Sequence, residues 1–284
     1  HPWHGDHQIL SKMKKCLTGL ALLAFSAGSV VWGQQQWRRS QFITNTYLAN
    51  PAVAGTEPGT VLSSSYRQQW AGFDGAPTTK LLSGHQAVPG GGGVGFVLYN
   101  DDMGGAIKQT GIELTGAYSV LLSNQDAVSF GLSMRGNQFV FDGTGLNVWQ
   151  TGDQSLPQTI ESTFGVDFNA GMMVYGKNYY FGMSVYNLLE DKLNLSGVDD
   201  DANRMFRHYN FMASYLYKVT QLFSLQPSAL MRMTEATPGQ LDFHLRAIYN
   251  GTYWAGMGLR PQDAFVIGTG INYGAFTLAY NYDI

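Results

Sequence analysis

Thr163-Phe164-Gly165-Val166-Asp167-Phe168-Asn169-Ala170-Gly171-Met172-Met173-Val174 sorts its side chains into two sets by turns. Phe164, Val166, Phe168, Ala170, Met172 and Val174 form one set, and Thr163, Gly165, Asp167, Asn169 and Gly171 form the other. Successive residues of a strand point to opposite faces, so this period of two predicts a strand with one apolar and one polar face.

Three further stretches repeat the pattern. In Lys108 to Leu122, Ile112, Leu114, Tyr118 and Val120 alternate with Glu113, Thr115 and Ser119. In Asp126 to Asn137, Val128, Phe130, Leu132 and Met134 alternate with Ser129, Ser133 and Arg135. In Gly239 to Asn250, Leu241, Phe243, Leu245, Ala247 and Tyr249 alternate with Asp242, His244 and Arg246. All the charge falls on the polar faces. Extended along the chain, the pattern predicts strands at 59–70, 78–88, 92–100, 107–121, 126–141, 161–175, 178–188, 204–218, 221–233, 239–250, 251–260, 263–273 and 275–284.

Two architectures suit such strands. A soluble sandwich turns the apolar face inward and covers it with a second sheet; a membrane barrel turns it to lipid and keeps the polar face in the lumen. Strand length and the aromatic residues near strand ends favour the barrel. Tyr175, Tyr179, Tyr180, Tyr209, Tyr215, Tyr217, Tyr249, Tyr253, Trp254, Tyr273, Tyr280 and Tyr282 are expected to form its interfacial girdles. Tight connections, such as Gly176-Lys177 and Asn250-Gly251, contrast with long polar ones at Gly143 to Ile160 and Leu189 to Asn203, which are expected to face outside. The fold expected is therefore all-β, a transmembrane outer-membrane β-barrel of about 12–14 antiparallel strands.

Composition agrees. Charged and aromatic residues each make up 13% of the 284 residues, and there are 35 glycines, a balance unlike that of a soluble enzyme. Residues 1–33 are read as an upstream extension followed by an export signal, with Lys14 and Lys15 before the apolar run Leu17 to Phe25 and cleavage after Gly33. Beyond this leader there is no cysteine, because Cys16 is the only one, so disulfides and thiolate metal sites are excluded there. Without Lys12, Lys14, Lys15 and Asp6 the chain carries 14 basic and 19 acidic residues, a charge of −5 that argues against a nucleic-acid partner.

Residues 34–58 precede the barrel, placed at 59–284. Trp37, Phe42, Ile43, Tyr47 and Leu48 are interspersed with polar residues, and Pro51 stops any helix begun near Ser40. The segment is either a plug tucked into the lumen or a disordered leader, and its apolar content favours the plug.

No motif points to catalysis. Pro89-Gly90-Gly91-Gly92-Gly93 lacks the Gly-Lys-Ser/Thr of a phosphate loop, and Asp199-Asp200-Asp201 lacks the spacing of a calcium loop. Asp242 and His244 share a face, yet no serine motif or metal cluster accompanies them. Glu113, Arg135, Asp167, Asp242, His244 and Arg246 are read as a charge network lining the lumen. No cofactor is expected.

Asn50-Pro51-Ala52-Val53-Ala54-Gly55, then Tyr66-Arg67-Gln68-Gln69-Trp70 and Gly72-Phe73-Asp74-Gly75-Ala76-Pro77, resemble the PorP/SprF family of type IX secretion system membrane proteins. Gly93-Val94-Gly95, Asn100-Asp101 and Tyr280 to Ile284 extend the resemblance over nearly the whole chain. It implies an outer-membrane barrel of the Bacteroidetes that works without catalysis, with secretion machinery subunits and secreted cargo, gliding adhesins included, as partners. It also implies a final hairpin after the Tyr-Asp element, so a barrel ending at Ile284 is expected to lack its C-terminal strand. The second reading is an outer-membrane channel for hydrophobic small molecules, resembling fatty acid transporters, gated by the N-terminal segment. In the Tyr66 to Pro77 block, Arg67, Trp70 and Phe73 are candidate partner contacts, since interfaces favour aromatic and Arg anchors, with an interfacial girdle as the alternative role.

Overall fold

The structure, a computed structural model, describes residues 42–73, 75–123, 125–144, 159–191, 204–235, 239–261 and 263–284. The expected leader at 1–33 and the Asp199 to Asp201 triplet lie outside them, as does most of both long connections.

The alternating stretches form strands β1 (Thr60–Gln68), β2 (Thr78–Val88), β3 (Gly92–Asp102), β4 (Ile107–Leu121), β5 (Ala127–Asp142), β6 (Ile160–Tyr175) and β7 (Tyr179–Tyr186). They continue with β8 (His208–Tyr215), β9 (Tyr217–Lys218), β10 (Phe223–Thr234), β11 (Gln240–Tyr249), β12 (Tyr253–Arg260), β13 (Ala264–Tyr273) and β14 (Phe276–Asp283). Each pairs antiparallel with the next in one sheet, except that β8 and β9 both pair with β10. Among the described residues there is no α-helix, and no helix is long and apolar enough to cross a membrane.

The strand expected at 204–218 is split. β9 keeps the register of β8 against β10, with Ser214 opposite Ser228 and Tyr217 opposite Leu225. The ladder lapses beside Pro227, which has no N–H to give it. Counting β8 and β9 as one, the hydrogen-bonded path among the described residues holds thirteen strands, so β1 and β14 run in the same direction. These two edges share no ladder. A side-chain bridge spans them instead, Arg67 Nη2 to Asp283 Oδ2 at 3.0 Å.

Burial decides between barrel and sandwich. The apolar faces are the exposed ones: Leu114 is 57% accessible, Leu132 56% and Phe164 69%. The polar faces are buried, among them Glu113, Thr115, Ser129, Ser133, Arg135, Asp167 and Asn169. A sheet polar inside and greasy outside is unstable in water and fits lipid, where strands alternate apolar-out and polar-in. The fold is that of a membrane β-barrel, with the last ladder between β1 and β14 unformed.

Three aromatic residues expected in the girdles point the other way. Tyr175 packs on the core in phase with Asn169 and Met173. Trp254 is buried, in phase with Gly256, Gly258 and Arg260, and Tyr180 packs on the core in phase with Gly182 and Ser184. Glycine at neighbouring inward positions clears the volume that a large ring needs; a Cβ on Gly270 would collide with the Trp254 indole.

Candidate functional site

Residues 42–54 form the centre of the apolar core. They form three short 3-10 turns, Phe42–Thr44, Thr46–Ala49 and Pro51–Val53. Phe42, Tyr47, Leu48, Ala49, Ala52, Val53 and Ala54 cluster with Leu81, Val97, Tyr99, Met173, Met212 and Leu230 from the inner face of the strands.

Asn50 fixes the path. Its Oδ1 accepts from the Ala52 N–H at 2.9 Å, capping the third turn, while Pro51 takes a position whose missing N–H costs nothing. Its Nδ2 donates to Met172 O at 3.0 Å and Met183 O at 3.2 Å, on β6 and β7. The carbonyls of the segment are answered by the wall. Ser184 Oγ donates to Ala49 O at 2.6 Å, and Tyr186 Oη to Leu48 O at 3.1 Å. Tyr47 Oη lies 2.6 Å from Thr115 Oγ1, which continues to Ser133 Oγ at 2.8 Å. Burial raises the Tyr47 phenol above its ordinary pKa.

The wall is shaped to the segment by glycine. A Cβ on Gly93 of β3 would overlap Ala54 O; on Gly131 of β5, Pro51 and the Ala52 N; on Gly171 of β6, Asn50 Oδ1. Only a residue without Cβ lets the two backbones approach this closely.

The six charged residues singled out from the sequence do not form one network. Glu113 and Arg135 are cross-strand neighbours on β4 and β5, bonded from Nη2 at 2.9 Å and Nε at 3.1 Å to Oε2. Arg135 also donates to Asn187 Oδ1 at 3.4 Å and lies 5.2 Å over the Tyr186 ring. Asp167 sits opposite Arg135 in register, yet its Oδ1 accepts the backbone N–H groups of Phe168 at 2.7 Å and Leu189 at 2.9 Å. It thereby ties the chain leaving β7 to β6.

The other three lie on β11. Asp242 pairs with Arg232, and its Oδ1 stands 3.9 Å from Arg260 Nε. Arg260 reaches Asp263 at 2.8 Å and Asp283 at 3.1 Å, and Asp283 meets Arg67 of β1. A chain of ion pairs thus runs from β10 across the edge where the ladder is missing. Sequence reading missed Arg232, Arg260, Asp263 and Asp283; inward parity on β10, β12 and β14 was the signal available for all but Asp263, which lies between β12 and β13. His244 presents its ring to Phe42 at 5.5 Å, and Arg246 binds Gln226 at 2.5 Å and lies 5.3 Å over Trp254. Among the described residues no group of His, Cys, Asp and Glu could hold a metal ion.

Arg67, Trp70 and Phe73 also part company. Arg67 is engaged by Asp283, whereas Trp70 and Phe73 stand 70% and 74% exposed in the β1–β2 turn. Gln69 N–H to Pro77 O at 2.9 Å closes that turn, with Trp70 at φ 47°, Gly72 at 105° and Gly75 at 75°. A left-handed φ at tryptophan is costly and holds the indole out of the sheet. Trp70, Phe73, Ala76 and Pro77 wall a concavity of about 500 Å³ with Met103 and Gly104 of the next turn at the same end. The two long connections, between β5 and β6 and between β7 and β8, leave from this end too.

No curated protein matches the chain. Among solved structures it is similar to a KdgM porin, at 7% identity and a TM-score of 0.36, over 78% of this chain and 95% of that one. Residues 31–284 match the family described as type IX secretion system membrane protein PorP/SprF. An inside-out sheet over most of the chain and this match over the same residues lead to one assignment: the chain belongs to the PorP/SprF family.

Proposed function

We propose that the protein is a non-enzymatic outer-membrane component of type IX secretion that supports the export or surface attachment of cargo proteins, gliding adhesins among them. It reaches that membrane by way of an N-terminal signal. The observation that carries the docking part of this reading is the exposed pair Trp70 and Phe73 over a concavity of about 500 Å³. Exposed aromatic anchors around a pocket are what protein interfaces use, and a strained φ maintained at Trp70 fits a site kept for a contact. The turn shares its end with the two long connections, which supports a position on the cell's outer side. Machinery subunits and cargo are the partners at that face.

The test replaces the chromosomal gene with a Trp70→Ala/Phe73→Ala version and measures surface cargo alongside a deletion strain. The deletion should abolish surface display, and the double variant should lower it at unchanged barrel abundance. Normal display in the deletion strain would sink the secretion role. Normal display in the double variant alone would remove the docking role from this turn.

A further inference from the structure

We propose that the lumen is a built peptide-binding seat, occupied by residues 42–55 of the same chain as a fixed stopper, so that cargo does not pass through this barrel. The inference goes beyond the docking role and stands whether or not the aromatic turn binds a partner.

Three independent features carry it. The first is size. Barrels of about 8 strands are filled by their own side chains, while barrels of about 16–18 leave an aqueous channel. A path of thirteen strands lies between, wide enough to need a filler. The second is the fit of the wall. Gly93, Gly131 and Gly171 come from three different strands and are separated by tens of residues, yet each stands where a Cβ would strike the backbone or the Asn50 side chain of the segment. Gly95 and Gly182 repeat this against Tyr47 and Asn50. A loosely held gate has no use for such a track, because a mobile element tolerates a methyl group by shifting.

The third feature is polar bookkeeping. Ser83, Thr115, Ser184, Tyr186 and Asn210 each direct a side-chain polar atom to the segment, and Asn50 answers two wall carbonyls. These groups span β2, β4, β6, β7 and β8, so the segment is gripped around much of the wall. With the segment gone they would need water, and the lumen would be wet. The seat thus recognises a short, compact Asn-Pro-Ala peptide by close backbone approach and by hydrogen bonds to its carbonyls.

Planar-bilayer conductance of the full chain tests this, with heat-dependent gel mobility as the check on folding. The wild-type barrel should be silent. A version with residues 42–54 replaced by an equally long Gly-Ser stretch should conduct, and so should Gly131→Leu. A synthetic peptide of residues 41–56, added to the replaced version, should block its current, and a scrambled peptide should not. Asn45→Cys/Ser83→Cys, whose parent side chains touch at 2.8 Å, separates a stopper from a gate. Oxidised and reduced forms should be equally silent. A reduced form that conducts while the oxidised form does not would overturn the fixed stopper, and so would failure of the peptide to block. The wild-type recording needs no variant to fold, and a steady solute-sized conductance from it would by itself overturn the proposal.

Discussion

Replacing Arg135 by Met should be among the most damaging single changes in this protein. The guanidinium is 2% exposed and its partner Glu113 carboxylate 5%, and one carboxylate oxygen takes both Nε and Nη2. Removing the cation leaves a buried charge without its partner, which costs about 3–5 kcal/mol. At about 1.4 kcal/mol per decade, that lowers the folding equilibrium roughly 10² to 10³·⁵-fold. With an unfolding slope of about 2 kcal/mol per molar urea, the midpoint in lipid vesicles falls by about 1.5–2.5 M. The double variant Glu113→Leu/Arg135→Met should recover much of the loss, because two apolar groups of similar volume leave no orphan charge. Tryptophan fluorescence against urea reads all four species of the cycle. A single variant shifted by less than about 1 kcal/mol, or a double variant as unstable as the sum of the singles, would refute the argument.

Asn50→Ala removes the cap on Ala52 and both bonds to β6 and β7, and should cost about 2–4 kcal/mol in the same urea titration. Leu132→Arg places a charge on the exposed apolar face of β5 and should cost about 2–4 kcal/mol in lipid, while its neighbour Ser133→Ala, losing one bond to Thr115, should cost about 1. Asp283→Asn loses the charge that joins Arg260 to Arg67 and should cost about 1–3 kcal/mol, seen as a lower temperature for the loss of heat-dependent gel mobility.

Strand identity was legible in residues such as Phe164, Asp167, Phe168 and Asn169, because a period of two is a local property that any short window carries. Trp254 and Tyr180 show where a local reading goes astray. A ring suits a lipid interface and a packed interior alike, and the phase shared with Gly256 and Gly182 was the better guide than residue type. Pro227 was in plain view, yet its effect falls on another strand, where β8 gives way to β9.

The candidate site was legible only in part. That Glu113, Asp167 and Asp242 share the inward side follows from parity. Their bonds do not: Asp167 faces Arg135 across the ladder and still turns to backbone N–H groups.

What the amino-acid order determined by itself is the alternation, hence the strands, their two faces and the inside-out distribution of polarity that calls for a membrane. Only the tertiary structure decided that Gly93, Gly131 and Gly171 come together under one short segment, and that Arg67 meets Asp283 across 216 positions. The reason is physical. The facing of a side chain is set by its own backbone, whereas its neighbours are set by inter-strand register, which depends on pairings between residues far apart in the chain.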